Sequence, residues 1–128
     1  MHKKLHSALR LGLAALPLVL LTDCPHTALL CVNATETSAA ALTFAVGEGV
    51  GCTGAVKLTS IEVYKTSDYA SRWAVTAREP TAVARITYGV VPAGFEQSLP
   101  PTPLAAGSRV TVGVQGPGVS GGTDVVLK

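Results

Sequence analysis

The chain has 128 residues, of which 48% are hydrophobic and 14% are charged, with three cysteines and a formal net charge of +2. Its excess of basic residues lies in the first ten positions, at Lys3, Lys4 and Arg10, because acidic and basic residues balance after residue 23. No basic patch and no interleaving of aromatic and basic residues remains, which argues against a nucleic-acid partner. A chain of this length predicts one domain.

The first 23 residues have the three parts of a secretory signal. A basic start is followed by an apolar run over 11–21, which is too short to cross a bilayer as a stable helix. Cys24 follows shortly after this run, so we expect residues 1–23 to be a lipoprotein-type signal peptide and Cys24 to be the lipidated first residue of the mature protein. Asp23 departs from that pattern, because a carboxylate would have to enter a membrane-embedded pocket. A plain secreted protein is therefore the alternative.

The cysteine count agrees with an anchor. Three cysteines leave one thiol over in an oxidising compartment, whereas a lipidated Cys24 leaves Cys31 and Cys52 to pair. That disulfide would close a loop of about twenty residues and stabilise the fold by roughly 3 kcal/mol in the chain-entropy model. Free thiols at both positions, or a bridge between Cys24 and Cys31, are the alternatives. No CxxC pair occurs and His26 is the only histidine after the signal, so neither a zinc site nor another cofactor is expected.

The rest of the chain predicts short β-strands separated by turns. Alternation with a period of two and enrichment in β-branched residues occur in the segments 27–33, 41–47, 59–65, 71–77, 82–91, 108–116 and 123–128. Turn-forming residues occupy 66–68, 78–81, 91–95, 98–103 and 116–122. The segment 35–42 alone is compatible with a helical turn.

About seven short strands in about a hundred residues predict an all-β fold. We expect an immunoglobulin-like antiparallel β-sandwich over residues 24–128, with an open barrel as the architectural alternative. Trp73, on a middle strand, is expected to pack between the sheets. A role for Trp73 as a platform on which a ligand stacks is the alternative.

Residues suited to catalysis are sparse. With His26 alone after the signal, a Ser-His-Asp or Cys-His arrangement is hard to build. The acidic residues are scattered and show no close pair suited to glycosidic chemistry. The glycine-rich segments 49–54 and 116–122 do not lie between a strand and a helix, so neither predicts a phosphate-binding loop. We therefore expect no enzymatic activity.

Several segments carry a resemblance to known proteins. They read "SRWAVTA" (71–77), "ITYGVVPAGFEQ" (86–97) and "PPTPLAAGSRVTVGVQG" (100–116). Together with the signal that ends at Cys24, they resemble a set of small bacterial envelope lipoproteins, some of which are labelled periplasmic immunity lipoproteins of type six secretion systems. The resemblance covers most of the mature chain. It implies a periplasm-facing β-domain on a lipid anchor, with no catalytic residues to carry over.

Two classes of function fit these features. A binding module would recognise a toxin or another envelope protein, whereas a structural or envelope-maintenance lipoprotein would have no discrete ligand. Tyr69 in the loop 67–71, Leu99 and three prolines in 96–103, and Phe95 directly before it are much apolar material for surface connections. We expect Tyr69, Phe95 and Leu99 to meet a protein partner. The alternative is that Phe95 and Leu99 fold back and close the open end of the sandwich.

Overall fold

The computed structural model describes residues 27–128, so the expected signal peptide and the expected lipidation at Cys24 lie outside the described residues. The described chain forms nine β-strands: β1 (Ala28–Leu29), β2 (Cys31–Glu36), β3 (Thr43–Gly47), β4 (Val56–Lys65), β5 (Ser71–Val83), β6 (Arg85–Thr87), β7 (Glu96–Leu99), β8 (Arg109–Gly116) and β9 (Val119–Val126). No helix occurs between residues 27 and 128, and in that range no helix could cross a membrane. The all-β prediction is confirmed.

The strands form two sheets. Six strands make one sheet in the order β1-β9-β8-β4-β5-β7, and three make the other in the order β2-β3-β6. The pairing is antiparallel except between β1 and β9, which run parallel. The inward side chains of the two sheets form one hydrophobic core. This arrangement agrees with the predicted β-sandwich.

The alternation of side chains explains which face of each strand is buried. Val110, Val112 and Val114 of β8 are at most 1% exposed, while the residues between them face outward. Phe44 and Val46 of β3 contribute to the core from the three-stranded sheet. Because successive side chains of a strand point to opposite faces, one apolar residue in two is sufficient to build this core.

Trp73 lies between the sheets, as expected. Its side chain is 0% exposed, and its ring meets the ring of Tyr88 edge to face, with 5.5 Å between the centroids. The indole Nε1 donates a hydrogen bond of 3.1 Å to Oε1 of Gln97 on β7. A buried indole N–H without an acceptor would destabilise the fold, so Gln97 completes the placement of Trp73.

Several segments differ from the sequence prediction, among them the predicted turn 116–122, of which residues 119–122 belong to β9. Residues 78–81 form no turn but belong to β5, in which the register jumps from Thr76 opposite Ser60 to Thr81 opposite Leu58. The residues 77–80 bulge out of the ladder, which accommodates Pro80 because a bulged residue needs no ladder N–H. The predicted strand 82–91 is divided, since residues 82–83 end β5, Arg85–Thr87 form β6 and residues 88–91 belong to no strand.

The first predicted strand is divided between the sheets. Ala28 and Leu29 pair with β9 in the six-stranded sheet, whereas Cys31 to Glu36 pair with β3 in the other. Leu30 lies at the crossing, where its N–H donates a 2.7 Å hydrogen bond to the carbonyl of Ser120. The segment 35–42 is the end of β2 followed by a turn, not a helical turn.

Phe95 requires a correction. The sequence predicted that this side chain would meet a partner, but the ring is 7% exposed and belongs to the hydrophobic core. A turn precedes it, in which the N–H of Phe95 donates a 3.0 Å hydrogen bond to the carbonyl of Pro92. Burial of the ring removes apolar surface from water, so folding back is favoured over exposure. The alternative stated for Phe95 is the one observed.

Candidate functional site

The strand directions give the sandwich two ends. The near end contains Thr27, the loop 48–55 and the hairpin turn 116–118, since β1 begins beside the start of β9. The far end contains the loop 66–70, the loop 100–108 and Lys128, since β4 ends opposite the start of β8.

The near end carries the predicted disulfide. Cys31 on β2 is bonded to Cys52 in the loop 48–55, with a Cα–Cα distance of 5.1 Å, and the prediction of this pair is confirmed. The loop is also closed by backbone hydrogen bonds of 3.0 and 3.3 Å between Glu48 and Thr53. Gly47 lies so close under the loop that a Cβ there would overlap the carbonyl carbon of Cys52. The disulfide therefore fastens the near-end loop to the edge of the three-stranded sheet.

The far end presents Tyr69 to solvent. Its side chain is 76% exposed, and its backbone has a φ of 60°, which L-residues rarely adopt. The loop is held by hydrogen bonds from the N–H of Tyr69 to the carbonyl of Lys65, and from the N–H of Ala70 to Oδ1 of Asp68, at 2.8 and 2.9 Å. The ring contacts Tyr64, with 5.9 Å between the centroids. A left-handed conformation costs a non-glycine residue about 1–2 kcal/mol.

Tyr88 fastens the proline-containing loop to the far end. Its hydroxyl lies 2.6 Å from the carbonyl oxygen of Thr102 and 3.0 Å from that of Arg72. The N–H of Thr102 donates a further hydrogen bond of 2.9 Å to the carbonyl of Arg72. The hydroxyl has a single proton, which it can donate to one of these carbonyls at a time, and burial raises the pKa of Tyr88 above its ordinary value.

A small cationic cleft lies between this loop and β4. It has a volume of about 140 Å³, and Lys65, Arg72, Pro103, Leu104 and Ser108 contribute to its lining. None of the described residues that line it is acidic. Lys65 and Arg72 lie on either side of the loop 66–70, and the pairing of β4 with β5 brings both to this cleft. Neither residue was predicted from the sequence, where both look like ordinary solvated charges.

The predicted partner-binding residues therefore do not form one surface. Tyr69 is exposed in the far-end loop, while Phe95 is part of the core. Leu99 is half-buried on the edge strand β7, opposite Ala74 of β5. Of the three, Tyr69 alone offers most of its side chain to a partner, and the cleft with Lys65 and Arg72 adds charged groups at the same end.

Known proteins provide no template for the far end. No protein-family model matches the chain, and no curated protein matches it. Across residues 27–128, no group of three or more His, Cys, Asp or Glu side chains could hold a metal ion.

Proposed function

We propose that the protein is a non-enzymatic binding module of the bacterial cell envelope, held at a membrane by a lipid on Cys24, whose far end meets a protein partner. The observation that carries the proposal is Tyr69, an aromatic ring that is 76% exposed on a left-handed backbone. Tyrosine gives a large contact area with little loss of side-chain entropy, and it is enriched at binding hot spots. Strained backbone at an exposed aromatic residue is typical of a binding site.

The position of Thr27 supports the orientation. Thr27 lies at the near end, beside Gly116 and Gly118 of the hairpin. An extended chain from Cys24 to Thr27 spans at most about 10 Å, so a lipid on Cys24 would hold the near end at the membrane and direct the far end away from it. The disulfide supports a compartment outside the cytoplasm, because such bonds persist in the oxidising periplasm. The inferred location is periplasm-facing and lipid-anchored.

The chemistry of the far end favours a partner with an acidic segment. Lys65 and Arg72 line one cleft in which a carboxylate would find two cations, and Pro103 and Leu104 give it an apolar wall. The prolines restrict the loop before binding, which reduces the entropy lost on association. Given the resemblance to immunity lipoproteins, a toxin delivered by a type six secretion system is the first partner to test. A structural role without a ligand would not explain why Tyr69 is exposed.

We predict that Cys24 is acylated in bacteria that express the full chain. Labelling with an alkyne analogue of palmitate should mark the protein, and Cys24→Ala should remove the label and release the protein into the soluble periplasmic fraction. The reason is that an acyl chain buries many CH₂ groups in the bilayer, each contributing about 0.8 kcal/mol to membrane binding.

The matched control is the Cys31→Ala, Cys52→Ala double variant, which keeps Cys24 and should label as the wild type does. Asp23→Ala tests the departure at the junction and should raise the processed fraction if the carboxylate slows processing. Equal labelling of the wild type and Cys24→Ala, or no labelling of either, would remove the anchor from the proposal.

We predict that Tyr69→Asn strongly lowers partner capture without loss of stability. Asparagine tolerates the left-handed conformation better than tyrosine, so the melting temperature should stay constant or rise. A photo-crosslinking residue at Pro103, with Tyr69 intact, should capture a partner in the periplasm of the native host during competition with a strain that secretes toxins. Capture should fall about tenfold in Tyr69→Asn, as expected for the loss of a hot-spot side chain.

A crosslinking residue at Val50 is the control, because Val50 is fully exposed at the near end. Partner capture that is equal from Pro103 and Val50, or unaffected by Tyr69→Asn, would contradict binding at the far end. If no partner is captured and deletion of the gene causes no growth defect in competition, a structural role in the envelope is the better explanation.

A further inference from the structure

A groove lies on the outer face of the six-stranded sheet, and its lining reaches the far-end loop only through the contact of Tyr64 with Tyr69. It lies over β4, β8 and β9 and has a volume of about 470 Å³, within the range of small-ligand sites. Its floor contains Gly113, Gly121 and Gly122, and its sides include Glu62, Tyr64 and Leu29. Leu29 is 85% exposed at the edge of the sheet. The groove runs across three neighbouring strands, a width of about 10 Å.

Two of the floor glycines are required by packing. A Cβ at Gly121 would lie 2.7 Å from the carbonyl oxygen of Leu30, and a Cβ at Gly122 would lie 2.7 Å from that of Val112. Both distances are too short for real Cβ contacts, so any side chain at either position would displace backbone. These glycines are explained by the fold alone.

Gly113 has no such explanation. It lies inside β8, between Glu62 of β4 and Gly122 of β9, where glycine weakens a strand by roughly 1 kcal/mol. It is not among the glycines of residues 27–128 with a positive φ, and a Cβ there would make one ordinary contact, 3.9 Å from Cε1 of Tyr64. A side chain at 113 would fit the fold but would occupy the groove beside Tyr64. The absence of that side chain keeps the groove open.

The lining residues indicate what the groove could hold. Tyr64 provides an aromatic ring that is backed by Tyr69, and Glu62 and Gln115 provide a carboxylate and a carboxamide. Ser60 and Ser120 add two hydroxyl groups. None of the described lining residues is basic, so an anionic ligand would meet the charge of Glu62 without a compensating cation. The backbone of β8 is paired on both sides, so recognition there depends on side chains and not on added strands.

We propose that this groove binds a neutral oligosaccharide. A sugar ring has an apolar C–H face that can stack on Tyr64, and its hydroxyl groups can donate to Glu62 and exchange hydrogen bonds with Gln115. A short chain of such rings matches a groove that crosses three strands, is polar along its sides and has no basic side chain among its described lining residues. The proposal does not depend on the lipid anchor or on a far-end partner, although Tyr64 of the groove contacts Tyr69 of the far-end loop.

The test is a titration of the ¹⁵N-labelled mature chain, residues 24–128 with Cys24→Ser, with chitotriose and with cellotriose at millimolar concentrations. The amide signals of Gly113, Gln115 and Gly122 should shift and saturate. Tyr64→Ala should weaken binding about tenfold or more, whereas Tyr64→Phe should keep it because the ring that stacks is retained.

Gly113→Val is the decisive variant, because valine is favoured in strands and should leave the melting temperature unchanged or higher while it blocks the groove. Ala82→Val, at an exposed position of β5 outside the groove, is the matched control and should bind as the wild type does. Three results would overturn the proposal. The first is that neither sugar shifts the amide signals of the groove, and the second is that Gly113→Val binds like Ala82→Val. The third is that the same amide signals shift only with ethanolamine or when the protein alone is concentrated, which would indicate an amine ligand or a second copy of the chain.

Discussion

Trp73→Ala is expected to lower the free energy of unfolding by about 3–5 kcal/mol, as large-to-small changes of buried aromatic residues do. Trp73 is 0% exposed and is the largest of the fully buried side chains. Its removal leaves a cavity between the sheets, removes the edge-to-face contact with Tyr88 and leaves Gln97 without its donor. Since domains of this size are stable by roughly 5–15 kcal/mol, the variant should unfold at much lower urea concentration.

Far-UV circular dichroism is the suitable measurement, because Trp73 is the only tryptophan and its fluorescence is lost with it. Trp73→Phe keeps an aromatic ring without the indole N–H and should lose less stability than Trp73→Ala. Gln97→Ala leaves the buried indole N–H of Trp73 without its acceptor, so the loss should be about 1–3 kcal/mol, less than for Trp73→Ala. A loss for Gln97→Ala that equals the loss for Trp73→Ala would contradict the dominance of core packing at this site.

The Cys31→Ala, Cys52→Ala double variant is expected to lose about 3 kcal/mol. The two cysteines are separated by 21 positions in the sequence, and in the chain-entropy model a loop of this length restricts the unfolded chain by that amount. For a domain of about a hundred residues, 1 kcal/mol shifts the melting temperature by roughly 4–8 °C, so a decrease of about 15 °C should be seen by calorimetry. The folded state should otherwise stay the same, since the core lies elsewhere.

Reduction of the wild type provides the control, because dithiothreitol should lower its melting temperature to that of the double variant and leave the variant unchanged. Cys24→Ser should behave like the wild type, since Cys24 is not part of the bridge. If the double variant melts at the same temperature as the oxidised wild type, the disulfide does not stabilise the fold by restricting the unfolded chain.

Melting temperatures also distinguish the residues that stabilise the fold from the residues that are proposed to bind. Tyr69→Asn and Gly113→Val are both expected to leave stability constant or raised, because each removes a residue that the local backbone disfavours. Trp73 and the disulfide have the opposite character, since their removal lowers stability. A residue whose replacement is expected to stabilise the fold is a candidate for a binding role, because natural proteins give up stability at functional sites.

The sequence by itself predicted the all-β class, and it favoured a central position for Trp73 and the pairing of Cys31 with Cys52 over their alternatives. Each prediction depends on information that is local or countable. Alternation within one strand shows which face is apolar, and the expected lipidation of one of three cysteines favoured one pair among the others. The face that each strand buries follows directly from the side-chain period of two.

Only the tertiary structure decided the register, the bulge and the membership of each sheet. The chain crosses between the sheets at Leu30, residues 77–80 bulge out of β5, and Phe95 turns into the core. The crossing and the bulge depend on which strand lies alongside, and the burial of Phe95 depends on how much apolar area the whole fold can bury. Pairing of β4 with β5 brings Lys65 and Arg72 to one cleft, and pairing of β8 with β9 aligns Gly113 with Gly122 under the groove. Spacing along the chain does not show these neighbours, because the register and the outward face of each hairpin are set only when its strands pair.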